Sequence, residues 1–104
     1  MQSGYLNKRN TPLSPPPMQR LYCVLWGTLL LDYENEEESR TSLTPKCAAE
    51  VIGVSEWDGE GRSSTYPNGF LVVTHTGKTH YCCASTISER DEWISHLKSA
   101  LECR

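Results

Sequence analysis

His75, His80, Cys82 and Cys83 are the residues whose types and spacing best suit chemistry. On a strand, His80 and Cys82 share one face at i and i+2, which offers a metal two ligands. Zinc takes four ligands, or three and a water, and no paired C-x2-C knuckle supplies the others. A Cys–His nucleophile would also need a third group to orient the base. These four therefore read as ordinary strand residues, with no catalytic residue, metal or cofactor assigned. Asp58-Gly59-Glu60-Gly61 lacks the lysine and the strand–helix setting of a phosphate loop. Pro12-Leu13-Ser14-Pro15 fits a P-x-x-P ligand, although its plainer reading is a stiff loop. Thr11 and Ser14 flank prolines, where phosphorylation would add negative charge.

The elements that must position these residues are mostly short strands. Gly4 to Lys8 reads as a first strand, and the proline-rich stretch Asn10 to Pro17 as a loop that cannot donate a full ladder. Leu21 to Leu25 and Thr28 to Tyr33 follow, with a tight turn near Gly27. Tyr22, Val24 and Trp26 share one face, Leu21, Cys23 and Leu25 the other, and both are apolar. Glu34 to Arg40 reads as an acidic loop, Thr41 to Thr44 as a weak strand, Glu50 to Glu56 as a better one and 58–64 as a flexible loop. Phe70 to His75 and Thr79 to Ala84 form a hairpin about Thr76-Gly77-Lys78.

The chain ends in a lone amphipathic helix. Thr86 is its expected N-cap, with Glu89 three residues on to complete a capping box. Trp93, Leu97 and Ala100/Leu101 recur at helical spacing and set one apolar stripe against the core. About seven strands followed by one capped helix point to a small antiparallel barrel or sandwich.

Bulk properties narrow the function. At 104 residues the chain reads as one domain, 1–104, able to bury a core without staples, and as a module cut from a longer protein. A formal net charge of −3 argues against a general nucleic-acid binder. No apolar run approaches 18 residues, so no transmembrane segment is expected. Five cysteines are an odd number, Cys82 and Cys83 are adjacent, and Cys23, Cys82 and Cys83 lie in apolar runs. Reduced thiols in a cytoplasmic setting follow.

The order and spacing of Gly4-Tyr5-Leu6-Asn7-Lys8, Leu21-Tyr22-Cys23-Val24-Leu25, Leu29-Leu30-Leu31-Asp32-Tyr33 and Glu89-Arg90-Asp91-Glu92-Trp93 resemble the pleckstrin homology (PH) domain over nearly the whole chain. Trp93 falls where that family places its helix tryptophan. The resemblance implies an all-β fold of two orthogonal sheets and seven strands, capped by the C-terminal helix. It also implies that the loops after strands 1, 3 and 6 gather at the opposite, open end, where many members hold a phosphoinositide headgroup. The family's lipid pattern is a Lys ending strand 1, then Lys/Arg, any residue, and Arg leading into strand 2. Lys8 matches the first element, whereas Gln19 and Leu21 take the other two places.

Lys8, Arg9, Arg20 and Lys78 are the candidate headgroup ligands, since phosphates need charge-assisted hydrogen bonds from such groups. Glu34, Glu36, Glu37 and Glu38, offset by Arg40, fall at the same end and weaken the field for an anion. The expected function is thus a non-catalytic targeting module of an intracellular signalling or trafficking protein. It would associate weakly with anionic or phosphoinositide membranes as a peripheral protein on the cytosolic face, assisted by Leu13 or Met18. The alternative is a protein-interaction module that docks a peptide beside Val51 to Ser55, Arg90 and Lys98. The isolated domain is expected to be a monomer.

Overall fold

The computed structural model describes residues 2–9, 18–41, 44–59 and 66–103. The strands are β1 (Gln2–Arg9), β2 (Gln19–Trp26), β3 (Leu29–Tyr33), β4 (Cys47–Glu56), β5 (Gly69–Thr74) and β6 (Thr79–Cys83). The helices are α1 (Glu36–Thr41) and α2 (Ile87–Glu102). Each strand pairs antiparallel with the next, and β6 returns to pair with β1, which closes a barrel. Alternating strand direction sends the β1–β2, β3–β4 and β5–β6 connections to one end. α2 follows β6 and packs at the other.

Six strands are present among the described residues where seven were expected. The missing one is the weak strand expected over Thr41 to Thr44. The strand expected over Glu50 to Glu56 is present as β4, which begins earlier, at Cys47. It carries a register shift between Val51 and Gly53 that marks a bulge. A bulge bends a strand without ending it. The first half of β4 pairs with β3 and its second half with β5, so one bent strand carries the barrel wall from β3 to β5. The weak strand expected over Thr41 to Thr44 is not formed, because Thr41 ends a helix and Thr44 lies in a bend. Part of the acidic loop is helical instead. Asn35 Oδ1 accepts from the Glu38 backbone N–H at 2.9 Å, and Glu36 to Glu38 fill the first turn, where carboxylates suit the helix dipole. The expected proline-rich loop and most of the expected 58–64 loop lie outside the described residues.

Strand periodicity then decides what faces inward. Leu6, Leu21, Cys23, Leu25, Leu30, Phe70, Val72 and Cys82 fill the barrel, with Trp93, Ile94 and Leu97 closing it from α2. Thr86 caps α2 as expected, its side chain accepting from Glu89 N–H at 3.1 Å. Phe70 and Trp93 stack with centroids 6.5 Å apart. Turns at Gly27 and Gly77 adopt φ of 57° and 87°, a region open to glycine without Cβ strain.

Candidate binding surface

β1 alternates Leu6 and Lys8 inward, and β3 alternates Leu30 and Asp32 inward. The two charged residues therefore meet inside the barrel. Lys8 Nζ donates to Asp32 Oδ1 and Oδ2 at 2.9 and 2.8 Å, and each residue is only 3% exposed. Burial alone would push the ammonium's pKa down. The surrounding Cys82, Cys23 and Asp32 act the other way and leave it above the ordinary lysine value. Burial pushes both thiols up, Cys82 to about 12, so the ion-pair partner of the ammonium is Asp32, at 2.8 Å. Lys8 thus has its counterion inside the fold and offers nothing to an external headgroup in this conformation.

His80 completes the buried polar cluster, 3% exposed, with Nδ1 unbonded among the described residues. Burial and then the Lys8 and Lys78 charges lower its pKa to about 4, against a partial opposing pull from Asp32. The imidazole is therefore neutral in the fold and protonates more readily in the unfolded chain. Between pH 6.5 and about 4 the unfolded state binds the extra proton, so stability falls as pH falls through that window. We expect the urea midpoint to drop from pH 7 to pH 5 in the wild-type domain and to drop less in His80→Gln. Equal slopes would show that His80 does not carry the effect.

The other candidate cations do not converge on Lys8. Arg9 lies on the outer face, its guanidinium 4.6 Å from the Tyr66 ring and donating to Tyr66 Oη at 3.0 Å. Trp57 and Tyr81 join that cluster, with ring centroids 5.1 Å apart. Arg20 also faces outward, 4.4 Å over the Tyr5 ring. Lys78 is exposed in the β5–β6 hairpin. Glu36, Glu37 and Glu38 are exposed on α1, and Lys46 is drawn to Glu34 at 2.7 Å. Sequence reasoning missed Asp32 as the partner of Lys8. The signal was present, since period-two alternation places Asp32 on the Leu30 face, and an inward carboxylate demands a cation.

The far side of the barrel carries a different feature. Past Val51 no described strand pairs with the β3-side edge of β4, and α2 packs alongside. A groove of about 380 Å3 lies there, lined by Glu56 and by Asp91, Ile94, Ser95, Lys98, Ser99 and Glu102 of α2. Arg90 bridges Glu56 at 3.2 Å and Asp91 at 2.9 Å at its head. No metal-ligating cluster occurs among the described residues. Among the described residues no helix is long and apolar enough to cross a membrane.

Comparison with known proteins agrees with this architecture. The PH domain family model matches residues 1–102, and the chain belongs to that family. Similar solved structures include the PH domain of human oxysterol binding protein-related protein 11, at 24% identity and a TM-score of 0.78, covering 98% of this chain and 80% of that one. The C-terminal PH domain of pleckstrin, solved in complex with D-myo-Ins(1,2,3,4,5)P5, is 20% identical with a TM-score of 0.71, covering 96% of each chain. The N-terminal PH domain of human ARAP2 is 27% identical with a TM-score of 0.68, covering 98% of this chain and 79% of that one. A search of curated protein sequences finds no match. The chain is therefore a PH domain, a type of module that binds lipids or proteins in signalling and is generally non-catalytic.

Proposed function

We propose that this PH domain docks a protein segment, with the groove between β4 and α2 as its receptor, and is not a stereospecific phosphoinositide receptor. The observation that carries this reading is the sealed Lys8–Asp32 pair, which removes the one cation that fits the family's headgroup pattern. The open edge of β4 can hydrogen-bond an extended peptide, and the groove beside it supplies acidic and basic groups for side chains. Weak electrostatic contact with anionic lipid is the second reading. It is favoured by the exposure of Arg20 and Lys78, and by the inositol phosphate held by the pleckstrin domain. Such contact would need a second anchor in a longer protein to matter.

Two assays separate the readings. Pelleting with vesicles of phosphatidylcholine plus phosphatidylserine, with and without phosphatidylinositol 4,5-bisphosphate, should show no phosphoinositide-dependent binding at physiological salt. Binding that is lost in Arg20→Ala/Lys78→Ala would replace the docking reading with the membrane one. Peptides selected from a random display library on the wild-type domain should lose at least about tenfold in affinity on Ser95→Arg, which fills the groove from an exposed position. Selected peptides indifferent to Ser95→Arg would overturn the groove assignment.

A further inference from the structure

A second cleft, of about 320 Å3, lies on the other flank of α2, between its N-terminal half and the start of β1. Its walls carry charges of opposite sign that do not meet. Arg20 stands on one side over Tyr5, and Glu89 and Glu92 stand on the other. None of the three makes an ion pair among the described residues, although other charged side chains of the domain do. Trp93 also lines this cleft while being 2% exposed overall. Its indole N–H has no protein acceptor among the described residues and is not sealed from solvent, so it opens onto the cleft.

Gly4 explains how that N–H comes to border the cleft. A Cβ at position 4 would stand 3.8 Å from Trp93 Nε1 and 4.0 Å from the ring, so a methyl group there would fill the space beside the donor. The site therefore combines one indole donor open to the cleft, one guanidinium on an aromatic platform and two carboxylates across a gap. A lone anion would be repelled by Glu89 and Glu92. A lone cation would leave Arg20 and the indole unanswered.

We propose that the Gly4–Trp93 cleft binds an extended protein segment carrying an acidic side chain close to a basic one. The acidic side chain pairs with Arg20, the basic one with Glu89 and Glu92, and a backbone carbonyl accepts from Trp93 Nε1. Complementary charge of this kind sets register and excludes singly charged competitors. This surface is separate from the β4–α2 groove, so either can fail without the other.

The test is proton–nitrogen NMR on the labelled domain, titrated with Ac-Glu-Ala-Lys-NH2, Ac-Lys-Ala-Lys-NH2 and Ac-Glu-Ala-Glu-NH2. The three tryptophans, Trp26, Trp57 and Trp93, give separate indole signals, with that of Trp93 assigned through Trp93→Phe. The mixed-charge peptide should shift the Trp93 indole signal saturably and leave that of Trp26 in place. Arg20→Gln and Glu92→Gln should each weaken the titration about tenfold, the loss of one charge-assisted contact. Gly4→Ala should fold normally, its methyl meeting only ordinary contacts, and should also weaken binding. No shift of the Trp93 signal, an equal response to the like-charged peptides, or full binding by Arg20→Gln overturns the proposal. Vesicles of phosphatidylserine that move the same signal where the mixed peptide does not would assign the cleft to lipid and overturn it as well.

Discussion

Lys8→Met should cost the domain about 3–5 kcal/mol in urea unfolding, because it strands the Asp32 carboxylate inside the barrel. Against a total of about 5–15 kcal/mol for a domain of ordinary stability, that loss is a large share. Asp32→Leu should cost as much for the mirrored reason, an ammonium without its counterion. The double variant Lys8→Met/Asp32→Leu is the informative one. It removes both charges, fills their space with apolar groups, and should recover most of what either single change lost. Recovery follows because a buried pair sets attraction against the desolvation of two ions, and apolar replacements of similar volume are often neutral. Circular dichroism through a urea series reads all four proteins. If the double variant loses as much as the two single changes summed, the residues are not coupled and the buried pair is not what holds Lys8.

The same pair explains why the fold could be read from the chain more fully than the binding surface. Helix α2 was visible because Thr86, Glu89, Trp93 and Leu97 carry local signals, a cap and a 3.6-residue period, that no distant residue can cancel. The β5–β6 hairpin was visible for the same reason, through Gly77 and alternation on each side. The early start of β4 at Cys47 was not visible, since Cys47-Ala48-Ala49 carries no alternation and follows a proline, whereas Glu50 to Glu56 reads as a strand straight through the bulge at Val51/Gly53. Helix α1 was hidden because six residues are too few to show a period, and its cap at Asn35 stands in a run that reads as loop. The state of Lys8 depends on a residue 24 positions away across two strand pairings. Charge counting treats lysines at a strand end as solvated cations. The register places Asp32 level with Gly4 and not with Lys8. Only closure of the barrel, which turns both side chains into one interior, reveals that this lysine is consumed within the fold.

Trp93→Ala is expected to cost about 3–5 kcal/mol by the same urea measurement. The indole is 2% exposed and joins the helix to the barrel in two directions. It stacks on Phe70 of β5 at 6.5 Å, and it borders Gly4 of β1. Truncation leaves a void that neither neighbour can fill, because Gly4 has no side chain and Phe70 is itself fully enclosed by the packed core. Trp93→Phe keeps an aromatic ring against Phe70 and should lose much less. Since Phe has no N–H, the pair of variants also divides two roles of the residue. Stability should follow ring volume, while the mixed-charge peptide titration should follow the indole N–H. If Trp93→Ala loses less than about 1 kcal/mol, in the range of surface changes, α2 is not docked through this side chain. If Trp93→Phe binds the mixed-charge peptide as well as the wild type does, the indole packs the core and plays no part in recognition.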